Sequence, residues 1–215
     1  GKGIVIPGFY GTMPDGTIRT FSRGGSDITG ALAAAALDAD VYENWTDVSG
    51  ILMADPRIVD NPLPIPEVTY DELRELSYSG ANVLHEGSIF PVREKNIPLN
   101  IRNTNDPTHP GTMIKERFDT DADPERFITG ITGKKDFSII SLSKKGMSNQ
   151  VGVLYKVLKV LVRHKISVDY VPNGIDNVSV VMPTKAVEKE LYTIMAEIKQ
   201  EAETDTVEVH HNIAV

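Results

Sequence analysis

The 215-residue sequence predicts an α/β protein in two parts, an open and mostly parallel sheet covered by helices followed by a ferredoxin-like βαββαβ unit. Two observations predict it. Through about residue 118, short β-branched runs alternate with helix signals, the pattern of a sheet with helical crossovers. From residue 137 the order becomes strand, helix, strand, strand, helix, strand, and both helices show amphipathic spacing. The polar stretch DTDADPER at 119–126 separates the parts, so the expected domains are 1–125 and 126–215. The length allows two cores of ordinary size.

In the first part, residues 4–6 read as a short strand. Asp15-Gly16 is a turn signal that joins residues near Tyr10 to those near Thr20 in a hairpin. SRGGSDITGA follows at 22–31, with Ser26 or Asp27 as N-cap of a small-residue, buried helix. A strand is expected over about 41–45, then a polar loop that opens with Thr46 and Asp47. Residues 53–70 hold four prolines without periodicity and read as an extended surface crossing. Thr69 and Glu72 form a capping box for a helix ending near Ser79. A further helix covers about 87–95, and IPLNIRNT is a strand.

In the second part FSIISLS (137–143) is a strand and KGMSNQ a loop. Val151, Leu154, Val157, Leu158, Leu161 and Val162 then mark one face of a helix. ISVDYV and NVSVVM are strands joined by the turn PNGIDN. A second helix carries Val187, Leu191, Ile194, Met195 and Ile198 on one face, and TVEVHH is the last strand. Both termini read as cut, the first opening in a β-branched run and the last closing in a strand, so the expectation is an excised fragment.

Composition narrows the function. A net charge of −8 argues against a nucleic-acid binder, which needs dense Lys and Arg to displace counterions. Without cysteine there are no disulfides, thiolate metal sites or cysteine nucleophile. The longest apolar stretch is far short of the roughly 20 residues that span a bilayer. No membrane partner and a cytoplasmic location are the expectation.

The segment at 22–31 is where chemistry is expected. Gly24 and Gly25 let backbone N–H groups converge at a helix N-terminus, a natural anion cradle. Arg23 adds a planar fork for a carboxylate or phosphate. Asp27 would repel a purely anionic guest and attract an ammonium group, so a zwitterion satisfies both charges. The plainer reading, a tight turn followed by a helix cap, stands beside it. A second loop at the end of the next strand, with Thr46, Asp47 and Arg57, favours the ligand reading, because ligands of open α/β sheets gather outside the carboxyl ends of strands. Two loops imply two ligands.

Residues 21–59, FSRGGSDITGALAAAALDADVYENWTDVSGILMADPRIV, and 76–114, LSYSGANVLHEGSIFPVREKNIPLNIRNTNDPTHPGTMI, resemble the carboxyl-terminal half of the catalytic domain of aspartate kinases, in the amino-acid kinase superfamily. Residues 147–171, MSNQVGVLYKVLKVLVRHKISVDYV, resemble the first ACT module of the same enzymes. The resemblance spans essentially the whole chain and implies a partial three-layer αβα sheet followed by an ACT domain of an incomplete tandem.

It implies ATP- and Mg²⁺-dependent phosphorylation of L-aspartate to 4-phospho-L-aspartate, on the route to lysine, threonine and methionine. Phe9, Arg23, Gly24, Ser26 and Asp27 would hold the amino acid, and Thr46, Asp47, Leu52, Arg57, Asn82 and Val83 would face the nucleotide. No protein-held metal site is expected. Met147, Ser148, Asn149, Gln150, Val151 and Gly152, with Ser167, Val168 and Asp169, would receive an amino-acid effector, lysine or threonine, in a feedback-regulated homo-oligomer that pairs through its ACT domains. Two departures stand out. Asn82 replaces the lysine common in that family, and the family's amino-terminal KFGGTS segment with its catalytic lysine is not in these residues, which predicts a chain inactive by itself. A non-catalytic effector-binding module is the competing class, and a kinase of glutamate or uridylate a third.

Other features carry blander expectations. His85, His109, His164, His210 and His211 have no convincing partners in sequence, and the last two point to opposite faces of a strand. Trp45 is expected as core packing under the nucleotide loop, and the Lys134-Lys135 and Lys144-Lys145 pairs as solvated strand ends.

Overall fold

Asp15 shapes the first turn of the computed structural model, which describes residues 3–21, 24–78, 84, 86–118 and 128–215. Its Oδ1 accepts hydrogen bonds from Thr17 N (3.0 Å) and Thr17 Oγ1 (2.7 Å), and Gly16 takes φ +82°, closing a hairpin of β1 (Tyr10–Thr12) and β2 (Ile18–Thr20). Residues 4–6 form no strand. Ile4, Val5 and Ile6 are exposed, and among the described residues no strand pairs with them.

Helix α1 (Gly25–Ala36) begins after Gly24, which sits in the left-handed region at φ +64° with no side-chain cap. Ser26 and Asp27 therefore lie inside the first turn and are not caps. The tight entry has a packing cause: a Cβ on Gly25 would lie 2.5 Å from the Phe21 ring. Only Gly25, Ala31 and Ala34 of α1 are buried, so the helix is half covered and not enclosed as expected. Gly30 lets Tyr42 pass beneath, since a Cβ there would come 2.6 Å from the tyrosine oxygen.

The sheet of this part is mostly parallel, as expected, with one antiparallel pairing. Its order is β3 (Tyr42–Thr46), β7 (Leu99–Asn103), β8 (Thr112–Lys115) and β6 (Glu67–Thr69). β3/β7 and β6/β8 are parallel, β7/β8 antiparallel. The proline-rich crossing is more ordered than its sequence suggests, with β4 (Ile51–Leu52) pairing antiparallel with β5 (Pro64–Ile65). Thr112 ties this ribbon to the sheet: its Oγ1 donates to Ile65 O at 2.6 Å and accepts from Ile51 N at 2.8 Å. The capping box forms as read. Thr69 N donates to Glu72 Oε2 (2.9 Å) and Glu72 N to Thr69 Oγ1 (3.2 Å), opening α2 (Tyr70–Tyr78). Helix α3 (Glu86–Glu94) and α2 close the core around Val68, Leu73, Val92, Leu99, Ile101 and Ile114.

The chain divides into two units, Gly1–Thr132 and Gly133–Val215. Residues 128–132 stay with the first, through Ile131 N to Met53 O (2.7 Å) and Thr132 Oγ1 to Leu76 O (3.4 Å). The boundary expected at 125/126 lies within 119–127, outside the described residues.

In the second unit β9 (Phe137–Ser143) is central, flanked antiparallel by β10 (Asn177–Pro183) and β11 (Thr206–Ile213). The stretch expected as a strand at 166–171 is reduced to a bridge between Tyr170 and Val181, which still places it beside β10 in the split βαββαβ order. α4 (Val153–Arg163) buries Val153, Val157, Val160 and Leu161. The second expected helix is broken into α5 (Thr184–Val187) and α6 (Leu191–Ala202), and Val187, Leu191, Ile194 and Ile198 share the core. Ser138 hydrogen bonds to Thr184 and to His211 Nδ1, each at 2.8 Å.

Candidate functional site

α1 and β3 are joined by a short turn, so the N-terminus of the helix lies over the C-terminal half of the strand. There Asp27 Oδ1 accepts a hydrogen bond from Asn44 Nδ2 (3.1 Å), and the Tyr42 hydroxyl donates to Asp27 O (3.1 Å). Asn44 is buried, two positions before Thr46. The glycine-hinged helix start and the Thr46-Asp47 loop therefore share one edge of the sheet. Burial, helped by the Asp27 charge, pushes the Tyr42 phenol above its ordinary value of 10.0, so it stays a neutral donor.

The remaining residues expected to hold an amino acid are only partly placed. Arg23 lies outside the described residues. Ser26 is exposed on the first turn, and Gly8 packs onto it closely enough that a Cβ on Gly8 would lie 2.9 Å from Ser26 Cα. Thr29 Oγ1 donates to Gly8 O at 2.9 Å, fastening the loop that presents Phe9. Phe9 is 60% exposed, its ring edge-on to Tyr10 at 5.1 Å.

On the other expected side, Thr46 ends β3, its hydroxyl donating to Asp47 Oδ1 at 3.2 Å. Leu52 is exposed on β4. Arg57 is engaged by Asp55, with Nη2 to Oδ2 at 2.6 Å and Nε to Oδ1 at 2.9 Å, which holds the Asp55 carboxyl down at about 2. Asn82 and Val83 lie outside the described residues, as does His85. Among the described residues no cluster of three or more His, Asp or Glu side chains could hold a metal ion, and no helix is long and apolar enough to cross a membrane.

Trp45 departs from expectation. It is 42% exposed, and the Arg102 guanidinium lies over its ring at 4.8 Å. In a strand, alternate residues face opposite ways, so Tyr42 and Asn44 turn toward α1 while Glu43 and Trp45 turn to the opposite face. Asn44, Tyr42 and Arg102 were not among the residues singled out in sequence. The signal that could have found Asn44 is a buried amide inside an otherwise ordinary strand, which requires a polar partner.

In the second unit the two expected effector groups separate along the sheet. Gly146 (φ +69°) opens a short 3-10 turn, Met147–Asn149, and Gly152 (φ +85°) precedes α4 without a side-chain cap. Met147 is buried, its N–H already donating to Asp176 Oδ1 at 3.0 Å. Asn149 and Gln150 donate back into the turn, to Gly146 O and Met147 O. Ser148 and Val151 are exposed. Ser167 is exposed, Val168 packs against the core, and Asp169 N donates to Val181 O at 2.9 Å. Val181 pairs with Ile139, four positions down β9 from Ser143, the end from which the 144–152 loop leaves. That register separates the two groups by roughly 13 Å along the strand.

Comparison with known proteins adds to this geometry. Residues 1–103 match the model of the amino acid kinase family. The chain is 37% identical over 213 residues to aspartokinase 3 of Bacillus subtilis, covering 99% of this chain and 46% of the relative. Among solved structures it is similar to the aspartate kinase of Clostridium acetobutylicum, described as an allosteric enzyme, at 48% identity and TM-score 0.84, covering 97% of this chain and 48% of the other. It is also similar to aspartokinase III of Escherichia coli at 31% identity and TM-score 0.66, covering 96% of this chain and 45% of the other. That enzyme was solved with lysine and aspartate, and separately with aspartate and ADP. The chain thus spans about half the length of each of these three relatives.

Proposed function

From the match of residues 1–103 to the amino acid kinase family model we propose that the protein carrying this chain is an aspartate kinase, in which this chain supplies the amino-acid pocket, part of the nucleotide edge and a regulatory ACT unit. A β-carboxylate oxygen of L-aspartate attacks the γ-phosphorus of ATP, the bond to the bridging oxygen of ADP breaks, and 4-phospho-L-aspartate and ADP result. The observation that carries the reading is Asp27 at a glycine-hinged helix start, fixed by Asn44, which itself stands two strand positions before Thr46. Its carboxylate suits the substrate ammonium, and Arg23 is the proposed partner of a substrate carboxylate. Phe9 would cover the amino acid from the Gly8 loop.

The nucleotide would lie along Thr46, Asp47 and Leu52, with Arg57 turning from Asp55 to phosphate oxygens; Asn82 and Val83 remain nucleotide contacts implied by the resemblance. A hydroxyl, an exposed guanidinium and an apolar side chain suit phosphates and a base, and phosphoryl transfer needs positioning and charge neutralisation more than covalent help. Mg²⁺ would be carried mainly by the phosphate oxygens of the nucleotide. Asn82 places no cation where the family commonly has lysine, so Arg57 bears more of that charge.

The second unit would bind lysine or threonine at the α4 N-terminus and Asp169. Their separation along β9 favours a site completed by a second copy, hence a homo-oligomer. Hydroxamate trapping of the acyl phosphate by the intact protein, with ADP release measured in parallel for each acceptor, tests the activity. Turnover with aspartate is expected, whereas turnover only with glutamate or uridylate, or with none of the three, overturns it. These 215 residues assayed alone are expected to give negligible turnover yet retain effector binding, which calorimetry with lysine and threonine checks.

A further inference from the structure

Three consecutive residues at the end of β7 grip the segment of β3 and its loop that is proposed to face the nucleotide. Arg102 lies over the Trp45 ring at 4.8 Å and pairs through Nη1 with Glu43 Oε1 at 3.1 Å. Asn103 Nδ2 donates to Ser49 Oγ at 2.8 Å. Thr104 donates twice to Thr46 O, from its N at 2.8 Å and its Oγ1 at 2.9 Å. The parallel register sets this up by pairing Trp45 with Arg102 and Thr46 with Asn103.

Arg102 also reaches the other way. Its Nη2 donates to Pro107 O at 2.8 Å, so one guanidinium braces the 104–110 loop against the strand. Asn103 Oδ1 accepts from Asn105 N at 2.9 Å, which fixes the start of that loop. Arg102 Nε is buried with no hydrogen-bond acceptor in the structure, a cost that only a well-packed position offsets. A cation stacked on an indole adds an attraction to that packing, stronger the less it is exposed.

We propose that Arg102, with Asn103 and Thr104, is a positioning bracket that sets nucleotide affinity by fixing the backbone of Thr46 and Asp47. Arg102 acts through Trp45 and Glu43 and touches neither substrate. This rests on the reading of the 46–47 loop as the nucleotide edge. The bracket takes hold of β3 through the Trp45 and Glu43 side chains and the Thr46 carbonyl, whereas Asp27 is held separately by Asn44 and Tyr42, so the bracket acts on the nucleotide loop and leaves the amino-acid side in place.

Steady-state kinetics of the intact protein test it. Arg102→Met and Thr104→Val each raise KM for MgATP by about tenfold, with KM for aspartate within about twofold. Arg102→Lys, which keeps the charge without the planar stack, falls between wild type and Arg102→Met. The single tryptophan of these 215 residues supplies a second readout, a shift of Trp45 emission on Arg102→Met. Equal rises in both KM values, or a loss of kcat with both unchanged, would overturn the bracket. If wild type does not phosphorylate aspartate, the functional proposal fails separately, and MgATP binding decides the bracket: equal dissociation constants for wild type and Arg102→Met, or no MgATP binding by wild type, overturn it.

Discussion

Asn44 donates from Nδ2 to the Asp27 carboxylate at 3.1 Å, across the contact between α1 and β3. A buried amide thereby fixes the direction of the one described negative charge at the helix start. Hydrogen bonds to charged groups are worth about 1.5–3 kcal/mol. Asn44→Leu is therefore expected to weaken aspartate binding by about tenfold or more while sparing ATP. Asn44→Asp adds a like charge beside Asp27 and costs more. Calorimetry with each ligand in turn checks this, and unchanged aspartate affinity would mean that Asp27 plays no part in recognition.

Arg57 gives a prediction of opposite sign at two neighbouring positions. Its guanidinium is spent on Asp55, whose carboxyl is held at about 2 chiefly by the hydrogen bonds from the Arg57 side chain and backbone and is thus ionised throughout the neutral range. If Arg57 turns to phosphate, Asp55 competes with the nucleotide for it. Arg57→Ala raises KM for ATP, and Asp55→Asn lowers it severalfold. Nucleotide titrations of the two variants that move in the same direction would show that the ion pair merely shapes the loop.

Thr112 is the point on which the β4–β5 ribbon depends. Thr112→Val keeps the shape but orphans Ile51 N–H and Ile65 C=O, both buried, at about 1–3 kcal/mol each when unsatisfied. The variant should lose roughly 2–4 kcal/mol of stability in urea unfolding, and Thr112→Ser should recover most of it. A loss below about 1 kcal/mol would indicate that the ribbon finds other partners.

That ribbon also shows where the sequence ran out. Features specified within a few residues were legible: the Asp15-Gly16 hairpin, the Thr69–Glu72 box and strand 137–143. β4, β5 and β8 are two to four residues long, and the hydroxyl that joins them lies 61 positions from Ile51 in the chain, so no local pattern announces them. The site divides the same way. Asp27 stood out because glycines precede it, and Thr46 and Asp47 because they follow a strand. Asn44 and Arg102 gain their roles from the packing of α1 on β3 and from the Trp45–Arg102 register, neither of which is written in neighbouring residues.

His164 yields a pH prediction in the second unit. Its Nδ1 lies 2.5 Å from Glu190 Oε2 and its Nε2 3.2 Å from Glu197 Oε1, with the side chain only 13% exposed. A neutral imidazole donates at one nitrogen, so both contacts require the imidazolium. Glu190 foremost, then Glu197, raises its pKa above 6.5, against the opposing effect of burial. Arg163 also faces Glu197, at 3.2 Å, and shares Glu201 with Lys159, which tempers the acidic field. A pKa raised on folding means that the stabilisation is fully present below the unfolded value and is lost as pH rises through the folded one. The stability difference between wild type and His164→Gln should therefore be largest near about pH 6 and shrink toward about pH 9. Glu190→Gln should bring the histidine titration, followed by NMR, back toward 6.5. A wild-type midpoint at or below 6.5 would mean that α4 and α6 are held together without this proton.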